Sequence, residues 1–305
     1  CKHGKVVDPE TMFIVQSVST TNSIVRMARK FGLGVVMTWV GFANLAAGTR
    51  MVWDREEIPP LSEGKRSATD DLCHPFIWEV AGMDNGQRSF NYAAMEQSNG
   101  FSILGSPPPD ERSLGTDGHV RDKDGTFAAI LIAEIASHAK ANGTTLFEMV
   151  DRHIYLDPAV GLFVNRYEPD PLDGEYPGIE GDKKKKNILA RSIALFGRAK
   201  EGGLRLGSLK VIDAVIYRTG KYDHIYAPTA DFQFPDEGIR FYFSPDRLNY
   251  TLVRPSGTGN SLRFHVQLHA EVSEDNLIEQ KAELRRQAKE IVDDLRDKLE
   301  APRNV

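Results

Sequence analysis

"TMFIVQSVSTTNSIVRMARKFGLGVVMT", residues 11–38, sets the class of the fold. Its first part, TMFIVQSV (11–18), is a short apolar run rich in β-branched and aromatic side chains, which predicts a buried strand. The next, STTNSIVRMARKFG (19–32), reads as a helix. Ser and Thr at its start can accept hydrogen bonds from the first backbone N–H groups, and Gly32 ends it. LGVVMT (33–38) is a second strand. Strand, helix and strand at this spacing form a βαβ unit, and such a crossover implies parallel pairing. No G-x-G-x-x-G opens the helix, so the unit is not a dinucleotide site.

Outward from this unit, residues 54–75 are polar and proline-containing and read as a surface insertion. FIWEVAGM (76–83) reads as a further strand. DGTFAAILIAEIASHAKANG (124–143) is a helix closed by Gly143. It is apolar on most faces and therefore expected to be buried against a sheet. Residues 167–186, YEPDPLDGEYPGIEGDKKKK, are rich in Pro, Gly and charge and mark a linker or hinge. A helix (186–200) follows, then strands at 209–217, 239–243, 249–253 and 263–268. A last helix over 274–300 carries Leu277, Leu284, Ala288, Ile291, Leu295 and Leu299 at core-packing spacing. The expected fold is α/β. A βαβ-containing mixed-sheet domain (1–168) precedes a smaller α+β domain (169–305), whose four-stranded antiparallel sheet is flanked by helices.

At 305 residues the chain has room for two domains, and 41% apolar composition suffices for a core in each. A net charge of −5 without a basic face argues against nucleic acid as a partner. Two cysteines, Cys1 and Cys73, suggest neither a disulfide framework nor a zinc site, and fit a reducing, cytoplasmic setting. No apolar run reaches the ~20 residues of a membrane span, and no signal-peptide pattern opens the chain. It begins at Cys1 rather than Met, and so reads as a piece of something longer.

Four motifs carry chemistry. In RPSGTGNSLR (254–263), Gly257 and Gly259 permit a sharp turn, Ser256 and Thr258 offer hydroxyls, and Arg254 and Arg263 bracket the turn. Donors converging from such a turn suit a phosphate dianion. A plain hairpin needs neither Pro255 nor both arginines. The G-K-[ST] ending of a Walker loop is absent. In MEQSNG (95–100), Glu96 and Ser98 stand two apart, and in an extended loop they point to one side. A carboxylate that accepts two hydroxyl protons beside a hydroxyl can read adjacent sugar hydroxyls. In GHVRDKDG (118–125), His119, Arg121 and Lys123 collect positive charge at a helix N-terminus, where anions are favoured. The same helix end disfavours a further positive charge, which suits Lys123 to proton transfer. The rival reading there is charged capping residues, and a calcium loop is excluded by the missing ligands. In TWVGF (38–42), Gly41 allows a tight turn at a strand end, where α/β proteins place ligands.

In this order and spacing, the four motifs resemble the α-D-phosphohexomutases, the phosphoglucomutase/phosphomannomutase superfamily. The resemblance is to the third and fourth of that family's four domains and covers nearly the whole chain. Residues 17–42 look like the opening of the third domain. EQSNG is similar to the sugar-binding loop, usually Gly-Glu-Glu-Ser, which implies that Glu96 and Ser98 hold O3 and O4 of the sugar. Met95 and Gln97 depart from that pattern, and the insertion at 54–88 is longer than usual. HVRDKDG is similar to a His-x-Arg-x-Lys-Asp-Gly stretch, which implies proton transfer by Lys123, with Gly41, Phe42, His119 and Arg121 also placed at the substrate. RPSGTG matches the phosphate-binding loop, which implies phosphate contacts from Arg254, Ser256, Gly257 and Thr258. Arg263 falls on a later arginine of the phosphoglucomutase branch.

The family moves a phosphoryl group between O1 and O6 of a hexose through a phosphoserine and a 1,6-bisphosphate. Its nucleophilic serine sits in a Thr-x-Ser-His-Asn loop and its Mg2+ in an Asp-x-Asp-x-Asp loop, both on domains that this chain lacks. Ser137-His138, and Asp170 with Asp173, imitate these motifs at the wrong spacing. The resemblance therefore implies the substrate-binding half of a phosphoglucomutase. Its partners are a hexose phosphate and the missing N-terminal domains, glucose 1,6-bisphosphate is the activator, no metal is held by this chain, and the chain alone is inactive. A mannose- or glucosamine-phosphate enzyme, a non-catalytic phosphosugar sensor and a structural protein with a chance motif are the alternatives.

Overall fold

A computed structural model describes residues 8–55, 77–81, 83, 88–97, 100–110, 116–168, 176–219, 235–256 and 261–302. The chain divides into two units of nearly equal length, with a boundary between Gly161 and Leu162. Most of the 54–88 insertion, both cysteines, and Asp170 and Asp173 lie outside the described residues.

In the first unit, β1 (Met12–Ser17) leads through α1 (Asn22–Lys30) to β2 (Gly34–Thr38). The two strands pair in parallel, from Phe13 opposite Gly34 to Ser17 opposite Thr38, as the βαβ reading expects. Thr21 caps α1 by accepting from the Ser23 N–H. The chain continues through α2 (Phe42–Trp53), β3 (Ile77–Ala81), β4 (Phe90–Glu96) and β5 (Gly100–Ser102). The sheet order is β3-β2-β1-β4-β5. β4 runs parallel to β1, and β3 and β5 are antiparallel edges, so the sheet is mixed. Phe13, Val15, Val36 and Ala94 form the sheet side of a core closed by Phe42, Leu45 and Val52 of α2. The MEQSNG stretch is therefore not an extended loop at its start: Met95 and Glu96 finish β4, and Glu96 pairs with Gly100 of β5.

The apolar segment 124–143 forms α3 (Gly125–Ala141), but it is not buried against the sheet. Only Ala139 is buried, and Ile130 and Ile132 are 61% and 54% exposed. A short α4 (Leu146–Val150) follows, opened by a capping box between Thr145 and Glu148.

In the second unit, β6 (Leu162–Glu168) precedes α5 (Gly178–Glu201). The linker expected to reach residue 186 thus ends earlier, because the lysine run is helical, and lysine is a good helix former. Within it Lys185 is buried. The expected strand 209–217 is two strands in two sheets. β7 (Arg205–Leu206) pairs with β8 (Leu209–Lys210), and β9 (Asp213–Tyr217) joins the main sheet. That sheet also holds β10 (Gly238–Tyr242), β11 (Tyr250–Pro255) and β12 (Leu262–Ala270). It is antiparallel and five-stranded rather than four-stranded, in the order β6-β12-β11-β10-β9. β6 is the strand of this sheet that the sequence reading missed, as it missed β4 and β5 of the first, and the second unit begins with it at Leu162 rather than at 169.

The final helix, α6 (Leu277–Leu299), packs on β6 and β12, and α5 packs on β9 and β10. The helices also touch each other, and the Arg296 guanidinium lies 4.9 Å from the centre of the Phe264 ring. They cover one face of the sheet, the face of Ile239, Phe241, Val253, Phe264 and Val266, rather than flanking it. Strand pleating turns the alternate residues to the other face. Those include Arg240, Tyr250, Arg254, Arg263 and His265.

Candidate functional site

In the first unit the expected residues gather where β4 ends. The Glu96 carboxylate accepts the Gly41 backbone N–H at Oε2 (2.9 Å), and Oε1 lies 3.0 Å from Lys123 Nζ. Gly41 is the N-cap of α2 with φ 117°, a conformation open to glycine, so its N–H points at the carboxylate from the positive end of the helix. Gly100 makes room for this arrangement. A Cβ there would fall 2.4 Å from Glu96 Cγ and 3.2 Å from the Phe42 ring.

Lys123 is brought in by the 119–124 segment, which lies along β5. The His119 N–H donates to Ile103 O, the Asp124 N–H to Phe101 O, and Ser102 Oγ to Val120 O. The Glu96 side chain is only 3% exposed and that of Lys123 is 41% exposed, so a ligand meets the ammonium first. Each carboxylate oxygen has one partner among these contacts and retains capacity for a second.

The N-terminus of α3 is occupied by the chain itself. Asp124 accepts the Phe127 N–H at Oδ1 (2.9 Å), and its other oxygen is 3.1 Å from His119 Nδ1. The His119 ring also sits 4.0 Å from the Phe127 ring. Here the capping reading prevails over an anion site, and Lys123 faces a carboxylate rather than the bare helix end. Arg121 turns elsewhere, lining a cleft of about 200 Å³ with Ala46, Ala47, Arg50, Trp53 and Leu104. Phe42 is a core side chain. Ser98 lies outside the described residues.

Sequence reading passed over three residues beside this site, Ser17, Ser19 and Thr20. They follow or end β1; the Ser17 and Ser19 hydroxyls meet the Gln97 side chain after β4, and Thr20 braces Ser17. The sheet order changes direction at β1, with β2 on one side and β4 on the other. The carboxyl ends of strands at such a switch are where open α/β sheets place ligands. The signal was the cluster of hydroxyl residues, Ser17, Ser19 and Thr20, at the end of an apolar strand.

In the second unit, Arg254 and Arg263 are direct cross-strand partners in β11 and β12, and Pro255 faces Leu262. The Ser256 N–H donates to Ser261 O (2.9 Å), closing the base of the turn. Cross-strand partners hold their Cβ atoms about 5 Å apart on one face. The arginines of RPSGTGNSLR therefore project together. Arg254 is 17% exposed, and its Nε lies 3.4 Å from Glu237 Oε2. Gly257 and Thr258 lie outside the described residues.

The face that carries these arginines is polar beneath them. The Arg240 guanidinium lies 4.2 Å from the centre of the Tyr250 ring, and the Tyr250 and His265 rings meet edge-on. Burial, helped by the Arg240 charge, pushes the His265 imidazole down to about 3, so it is neutral. Burial pushes the Tyr250 phenol up to about 12. Arg240 therefore supplies a fixed positive charge to which the neutral His265 adds none.

Among the described residues no cluster of three or more His, Cys, Asp or Glu is placed to hold a metal ion, and no helix is long and apolar enough to cross a membrane. Comparison with known proteins finds no family model that matches the chain and no curated protein that matches it.

Proposed function

We propose that this chain binds a hexose phosphate and is the C-terminal, substrate-holding half of a phosphohexomutase that acts on glucose phosphates. The observation that carries the reading is the pairing of Arg254 with Arg263 at the base of the 256–261 turn, on one face of the second sheet. Two guanidinium groups side by side favour a dianion, and arginine meets phosphate oxygens with paired donors. The Glu96 carboxylate supports the same reading from the first unit. It is oriented by Gly41 and Lys123 and can accept hydroxyl protons.

Phosphoryl transfer depends chiefly on positioning and charge stabilisation. In this proposal Arg254, Arg263 and Ser256 hold the phosphate that is not being transferred, with Gly257 and Thr258 of the same turn. Glu96, with Ser98, fixes the sugar ring through its hydroxyls. The Lys123 ammonium, the exposed member of its ion pair, gives a proton to the reacting sugar oxygen, while Glu96 beside it balances the charge. The nucleophilic serine, and the Mg2+ that stabilises charge on the transferring group, belong to domains outside this chain. The bisphosphate activator would use the same groups as the substrate.

Calorimetric titration of the chain with glucose 1-phosphate, inorganic phosphate and glucose tests the proposal. Glucose 1-phosphate is expected to bind more tightly than either alone, and no glucose 6-phosphate should appear. Equal affinity for glucose and glucose 1-phosphate would refute phosphate recognition, and measurable turnover would refute the half-enzyme reading.

A further inference from the structure

Gln97 follows Glu96 directly and is exposed, yet its side chain is held at one end. Ser19 Oγ donates to its Oε1 at 2.8 Å, and Ser17 Oγ to the same oxygen at 3.2 Å. Both serines are buried, and Ser17 is braced in turn by Thr20, 2.8 Å away between hydroxyl oxygens. Thr20 Oγ1 reaches back to Met95 O in β4 at 3.5 Å. The β1–α1 connection thus grips the chain on both sides of Glu96, at Met95 and at Gln97. With its carbonyl oxygen occupied, Gln97 has its –NH2 group as the remaining end, and that group makes no hydrogen bond among the described residues.

We infer that Gln97 is a specificity-determining residue whose amide N–H donates to a hexose oxygen beside the hydroxyl whose proton Glu96 accepts, and that Ser17 and Ser19 are the residues that position it. The inference rests on the hexose phosphate reading and adds the polarity of the sugar contact. An acceptor and a donor on adjacent residues match two neighbouring hydroxyls that play opposite roles. A carboxylate at position 97 has the same shape but only accepts. The serine hydroxyls still satisfy one of its oxygens, and the other can no longer donate to the sugar.

The test is calorimetric titration of the full chain with glucose 1-phosphate and, separately, inorganic phosphate, using Q97M, Q97E, S19A, S19T and R254A. Q97M removes the donors without adding charge. Both Gln97 variants are expected to weaken glucose 1-phosphate binding about tenfold, the order of one lost hydrogen bond, and to leave inorganic phosphate unchanged. S19A should weaken glucose 1-phosphate by less, and S19T, which keeps the hydroxyl, should restore it. Wild-type affinity in Q97M overturns the inference, whether or not Q97E is impaired, because a loss in Q97E alone reports charge repulsion. Equal losses for both ligands in Q97M overturn it too, since they report a collapsed loop. A normal R254A affinity for both ligands would instead refute the phosphate reading beneath it.

Discussion

The two units carry opposite electrostatic designs. In the first, the carboxylates at the candidate site meet nitrogen partners: Glu96 forms an ion pair with Lys123, and Asp124 lies against the His119 ring. In the second, two groups of like sign, Arg254 and Arg263, are set across from each other. Glu237 offers Arg254 a contact of 3.4 Å, longer than a strong charge-assisted hydrogen bond. Like charges placed on one strand pair cost stability unless a counter-ion arrives, whereas a balanced ion pair asks for none. On the proposed reading, the paired arginines of the second unit take the anion and the Glu96 carboxylate of the first takes uncharged hydroxyls.

The comparison is broken most sharply by removing one arginine. R254A should weaken phosphate binding by roughly 10- to 100-fold, as expected for a charge-assisted contact of about 1.5–3 kcal/mol. R254K should recover only part of this, because an ammonium lacks the paired donors. Calorimetry reads both, and an R254A affinity within twofold of wild type would erase the contrast between the units.

A second probe acts on the first unit alone. Gly100→Ala forces a Cβ to within 2.4 Å of Glu96 Cγ, in a packed region beside Phe42. Overpacking of this kind costs about 1–3 kcal/mol. Denaturant unfolding should show that loss, and phosphate affinity should stay unchanged. A fall in phosphate affinity would contradict the division of labour.

The third probe uses pH. The His265 imidazole titrates near 3 in the fold and near 6.5 when exposed, through burial first and the Arg240 charge second. Between those values the unfolded chain binds a proton that the folded chain refuses, so stability is full above about 6.5 and declines as pH falls. At about 1.4 kcal/mol per pH unit, roughly 2 kcal/mol is lost by pH 5. Unfolding curves at pH 7 and pH 5 should therefore converge for H265Q relative to wild type. An unaltered pH dependence in H265Q would show that the polar face does not exclude the proton.

The smallest effect is expected from Glu237→Gln. Removing the carboxylate near Arg254 should raise phosphate affinity about two- to fivefold, the order of one weak ion pair. A loss of affinity would mean that Glu237 orients Arg254 rather than competing with its ligand.

How much of this was visible in the sequence varies by element. The βαβ unit was legible because 11–18 and 33–38 are buried strands and 19–32 carries its own cap. Helix α3 was legible as a helix but not in its placement. Apolar composition states what Ile130 and Ile132 could bury, not whether a partner covers them. β6 was missed because its end runs into the polar, proline-rich stretch that looked like a linker, while its pairing with β12 is set by residues about a hundred positions away. At the candidate site, residue type and spacing single out Glu96, Lys123, Arg254 and Arg263, and the structure brings Glu96 to Lys123 and Arg254 to Arg263. The roles of Gly41 as a backbone donor, of Gly100 as a gap and of Asp124 as a cap were not. They arise from the approach of α2, β4 and the 119–124 segment, which no local pattern encodes.

The central claim is that Arg254 and Arg263 together take a phosphate. The most direct measurement is the side-chain Nε–Hε signal of each arginine by NMR during titration with inorganic phosphate. Both signals should move along one saturable curve with a common Kd. Signals that stay fixed while phosphate binds elsewhere, or that move independently of each other, would contradict the account.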